Sequence, residues 1–179
     1  MNQELKKLLY PDIYIIDCEA SGLDEESYPI QIGLYNPSTG DSDCFYIRPK
    51  DEWKGYWSEA AEFVHNIPMK TLFEQGIPVD DGIDTLIKML YAHDNIVYCD
   101  APPFDEFWLS RLFEDKTEDF RINYFPEVRH IDDLLEDNFQ RIILHNYLSN
   151  AFRKHDALDD CKTIAECYQK TIKELIDKE

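Results

Sequence analysis

The segment IYIIDCEASGL, residues 13–23, carries four apolar residues into an acid, a cysteine and a second acid. A short β-branched and aromatic run entered after Pro11 predicts a buried central strand ending near Asp17. Side chains alternate along a strand, so Asp17 and Glu19 share one face while Cys18 turns into the packing. Two carboxylates held together repel and raise one another's pKa unless a cation lies between them. Hard oxygen ligands suit Mg2+ or Mn2+. The alternative is a solvated strand end in an acidic chain. Either way, any fold must accommodate a strand that is apolar at its start and acidic at its finish.

Further strands are expected at PIQIGLYN and DCFYIRP, joined as a hairpin by the turn residues PSTGDS. SEAAEFVHN, with Ser58 as N-cap, and PMKTLFEQG, with Pro68 at its start and Gly76 as its stop, predict two short helices. Ile83, Leu86, Ile87, Leu90 and Tyr91 recur at helical spacing over 80–93, and NIVYC follows as strand four. PPFDEFWLSRLFED reads as an amphipathic helix, 128–131 as a short fifth strand and DDLLEDNFQRIILHNYLSNAF as mostly helical. The segment 156–179 reads as a strong terminal helix. Three strands in hairpin-like succession followed by αβαβα predict an α/β domain over 1–179, with a mixed five-stranded sheet flanked by helices in three layers.

Composition narrows the function. No run approaches the roughly 20 apolar residues of a membrane-spanning helix. The opening residues lack an apolar h-region and a cleavage site, so a cytoplasmic protein is expected. The five cysteines lack CxxC spacing and are expected to be reduced and structural. A net charge of −19 argues against a surface that coats nucleic acid broadly. It leaves room for a small phosphodiester site in which bound ions reverse the local field.

Two more acidic elements match the first. Asp105 lies in the first turn of the helix after strand four, near the carboxyl ends of the strands, where sites form in open α/β sheets. A first-turn acid favoured by the helix dipole is the plainer account. In HDALDD, Asp160 flanks the apolar stripe of the terminal helix, and His155 stands just before that helix, where an imidazole can take a proton near neutral pH. A capping or surface histidine is the alternative.

Taken together, DCEASGL, PPFDEFWL and HDALDD resemble the three motifs of the DEDDh family of 3′–5′ exonucleases, of the ribonuclease H-like superfamily, in the family's order and over most of the chain. HNIPMKTLFEQGIPV resembles the segment between the first two motifs, with His65 at the family's histidine. Asp100 and Ala101 depart from the His-Asn or similar amide that often precedes the second-motif acid, and the family spacing selects Asp160 over Asp159.

The resemblance implies a ribonuclease H-like fold and two Mg2+ or Mn2+ ions held by Asp17, Glu19, Asp105 and Asp160. It makes His155 the general base. Ala20, Ser21, Gly22, Leu23, His65 and Phe104 would contact the terminal nucleotide. Trp53, Tyr56 and Trp57 would either stack bases or pack. The expected partner is nucleic acid, DNA or RNA, engaged at short single-stranded 3′ ends. A homodimer or a protein partner stays open. Two other functions use the same residues: a metal-dependent phosphoesterase on short nucleotides, and a non-enzymatic binding module on this fold.

Overall fold

The computed structural model describes residues 3–177. Five strands, β1 (Tyr14–Ala20), β2 (Pro29–Tyr35), β3 (Ser42–Tyr46), β4 (Ile96–Cys99) and β5 (Glu127–His130), form one sheet in the order β3-β2-β1-β4-β5. The β1–β2 and β2–β3 pairs are antiparallel, whereas β1–β4 and β4–β5 are parallel. The mixed sheet expected from the sequence is therefore present. The β2–β3 turn closes as a hairpin with Gly40 at φ +77°, a left-handed conformation that glycine adopts without strain.

Helices cover both faces. Tyr14, Ile16, Cys18 and Ala20 of β1 join a core with α3 (Met69–Gln75), α4 (Val79–Leu90) and α5 (Pro102–Leu112). Ile15 faces the other core, built with α1 (Gln3–Leu9), α7 (Asn138–Asn150) and α8 (Ala157–Ile176). This alternation places Asp17 and Glu19 on the α8 side. The helix α2 (Glu59–His65) is capped by Ser58, whose Oγ accepts from the Ala61 amide, as its sequence predicts. No described helix is long and apolar enough to cross a membrane.

The differences from the sequence reading have local causes. β1 continues three residues past Asp17, because β2 pairs with Asp17 through Ala20, and the register shifts between Glu19 and Ala20. Such an irregularity bends a strand and re-aims its side chains, here beside the acidic pair. Two short helices were not anticipated: α1, and α6 (Glu118–Tyr124), whose Thr117 cap accepts from the Phe120 amide. The helical segment around 132–152 is broken by an extended Leu135 between a one-turn helix at Ile131–Leu134 and α7. α8 begins at Ala157, and the last two residues of the helix expected over 156–179 lie outside the described residues.

Candidate active site

Parallel pairing brings the carboxyl ends of β1 and β4 to one edge of the sheet, and an open cleft of about 640 Å3 forms there. Asp17, Glu19, Asp105, Asp160 and His155, drawn from three separate segments, all line it. The first turn of α5 supplies Asp105, which is buried and whose Oδ1 accepts from the Cys18 amide at 3.1 Å. That bond ties the acid to the strand carrying the DxE pair.

Asp160 is positioned by the close seating of α8 on the sheet. A side chain at Gly33 of β2 would stand 2.4 Å from the carbonyl carbon of Ala157, so only glycine lets the start of α8 lie this close. The amide of Gln31, also in β2, fastens the same turn: Oε1 accepts from the Ala157 amide at 3.1 Å and Nε2 donates to Asp156 at 3.0 Å. Asp160 then accepts from the backbone amides of Lys154 and His155 at 3.0 and 3.1 Å, shaping the loop before the helix. His155 sits in that loop at φ +55°, a left-handed conformation uncommon for a residue with a side chain. Held so, its imidazole has a ligand atom within 4.8 Å of those of Glu19 and Asp160.

The electrostatics follow from crowding without enough cations. Burial, then Asp105, Glu19 and Asp160, push the Asp17 carboxyl well above its usual range. Burial and neighbouring acids raise Glu19 to about 8, with Arg153 opposing them. Burial raises Asp105 to about 7, partly offset by hydrogen bonds from the cysteines beside it. A set of hard oxygen donors whose charged forms are this disfavoured fits a divalent cation, which would stabilise all of them at once.

The proposed substrate contacts divide. Ala20, Gly22, Leu23, His65 and Phe104 line the cleft. Leu23 and Phe104 are exposed at 78% and 49%, an apolar rim. Nδ1 of buried His65 accepts from the Ile67 amide at 3.0 Å, and its Nε2 has no protein partner. Burial lowers the pKa of this imidazole, so the neutral ring carries its proton on Nε2. Ser21 is different. Its side chain is fully buried, and its Oγ accepts from the Tyr28 amide at 3.1 Å, so the hydroxyl holds the turn after β1 and does not reach the cleft. Trp53 is also removed from substrate: it is 1% exposed, stacked on Tyr28 and hydrogen-bonded to Glu114. Trp57 donates to Glu62 and packs edge-on against His65, while Tyr56 is exposed.

Sequence reasoning missed one cleft residue's role. Arg153 forms an ion pair with Asp100 and also donates to the carbonyl of Asp160. Asp100 thus joins the β4 end to the loop before α8. The two residues are 53 apart in sequence, and nothing local signals the pairing.

No protein-family model matches the sequence, and no curated protein matches it. Among solved structures, the fold is similar to exonuclease I of E. coli bound to a dA16 oligonucleotide, with a TM-score of 0.64 and 13% identity over 92% of this chain. The zinc-bound form of the E. coli enzyme with single-stranded DNA superposes at 0.62 with 12% identity, covering 88% of this chain. Exonuclease I of Methylocaldum szegediense superposes at 0.63, again with 12% identity, covering 92% of this chain. The matched region spans only 39% to 42% of those proteins' own lengths. The mixed five-stranded sheet flanked by helices therefore shares the ribonuclease H-like fold of that part of exonuclease I.

Proposed function

We propose that the chain is an exonuclease domain that uses divalent metal to remove nucleoside monophosphates from single-stranded or frayed 3′ ends of nucleic acid. The observation that carries this reading is the convergence of Asp17, Glu19, Asp105, Asp160 and His155 on one open cleft. Asp17, Glu19, Asp105 and Asp160 would hold two Mg2+ or Mn2+ ions, which supply an acidified water and neutralise charge on the scissile phosphate. His155 takes the proton from that water, its position fixed by the amide bonds to Asp160. Leu23 and Phe104 cover the terminal base, and His65 lines the cleft beside them. The likeness to proteins solved on single-stranded oligodeoxynucleotides supports the choice of an unpaired strand.

The test uses 5′-labelled DNA and RNA single strands with Mg2+, Mn2+ or EDTA. A ladder of products one nucleotide shorter at each step, with mononucleotide released and no reaction in EDTA, is expected. Internal cleavage, or hydrolysis confined to free nucleotides, would replace this reading with a different phosphoesterase. Binding without hydrolysis under every metal would indicate a binding module.

A further inference from the structure

His130, Asp132 and His145 form a second cluster of metal-ligating side chains, none of which lines the acidic cleft. His130 closes β5, Asp132 lies in the one-turn helix that follows, and His145 projects from α7. His130 Nδ1 stands 2.8 Å from one carboxylate oxygen of Asp132, and His145 Nε2 stands 3.1 Å from the other. One ligand atom from each residue lies within 4.8 Å of the other two. Nitrogen and oxygen ligands bind Zn2+ at about 2.0–2.2 Å, so side-chain rotation has to draw the three ligand atoms together to close the set.

The hydrogen bonding gives one nitrogen of His130 two incompatible partners. His130 Nδ1 accepts from the Asp132 backbone amide at 3.1 Å, which requires a lone pair. The Asp132 carboxylate, 2.8 Å from the same nitrogen, requires a proton there. A cation at that nitrogen would take its single lone pair, so it would answer the carboxylate and displace the amide bond. Two imidazoles also distinguish this cluster from the acidic cleft, because nitrogen donors suit Zn2+, Co2+ or Ni2+ whereas Mg2+ keeps to oxygen.

We propose that His130, Asp132 and His145 bind a divalent transition-metal ion of the Zn2+ class, which clamps the end of β5 to α7. Three protein ligands leave the fourth position to water. Zinc bound per chain, measured by equilibrium dialysis and elemental analysis, tests this in the wild type, Asp17→Asn, His145→Ala and the double variant. Loss of His145 is expected to remove one equivalent in either background. It should also abolish the rise in Tm that Zn2+ gives the Asp17→Asn protein. His145 is half exposed, so its replacement leaves the fold intact, which circular dichroism checks. His130→Gln removes a different ligand and must give the same loss. Unchanged stoichiometry in His145→Ala, or a loss that His130→Gln fails to reproduce, overturns the proposal.

Discussion

Burial and mutual repulsion hold protons on carboxyls that are ionised in the unfolded chain, and this gives the site a measurable pH signature. Glu19 titrates near its ordinary 4.5 when unfolded and at about 8 when folded, so between those values the folded state binds the extra proton. Stability contributed by this group is complete below about 4.5 and is lost as pH rises to about 8. Asp105, raised to about 7, acts in the same direction. The metal-free protein is therefore expected to melt at progressively lower temperature across this range, and Mn2+ should restore the loss most at the alkaline end. Calorimetry in EDTA checks it; a level Tm for the wild type, or an equally steep fall in Glu19→Gln, would remove the physical basis for the metal site. Asp17→Asn should abolish turnover without lowering Tm in the absence of metal, because it relieves repulsion. His155→Asn, which tolerates the left-handed backbone, should lower kcat by about 10²-fold with Mn2+ affinity little changed. A large loss of Mn2+ binding in calorimetric titration would make His155 a ligand instead of the base.

The same residues hold their geometry through elements that carry no chemistry. Gly33 admits the first turn of α8, and Gln31 fastens that turn by two hydrogen bonds, so β2 determines where Asp160 and His155 stand. Gly33→Ala drives a methyl group into backbone that has no rotamer by which to yield. Overpacking of this kind is expected to destabilise the protein by about 3 kcal/mol. For a chain of this size that lowers Tm by about 6–12 °C. Activity measured well below the new Tm should fall as well, because α8 moves away from β1 and takes Asp160 with it. A variant that melts early but retains full turnover would show that the seating of α8 matters only for stability.

Across the whole molecule, the charge of −19 limits how nucleic acid is held. The basic residues nearest the cleft are already engaged: Arg153 with Asp100, and Lys154 with Asp159 at 2.9 Å. Lys50 is likewise paired with Glu114 and Asp115. With about 2–4 phosphates gripped, the single-strand coefficient gives a slope of log Kobs against log salt no steeper than about −3. Binding of an Asp105→Asn variant to single strands of increasing length should level off after a few nucleotides. Affinity that keeps rising with length, on a steep salt slope, would mean a basic track along the surface and would exclude recognition of short ends.

Local patterns determined the sheet's five strands, the capped helix after Ser58 and the terminal helix, because alternation and caps are written within a few residues of one another. The acidic residues that line the cleft stood out only through the order of three motifs along the chain. Tertiary structure decided the rest. β1 outran Asp17 because β2 paired with it, and Ser21 and Trp53 turned inward because the turn after β1 and the Tyr28 ring needed them. The Arg153–Asp100 pair, the Gln31 fastening and the His130–Asp132–His145 cluster join segments that only folding brings together. Sequence spacing fixes which side chains share a strand or helix face. Contacts between distant segments depend on how closely backbones approach, and here a missing side chain at Gly33 set that distance.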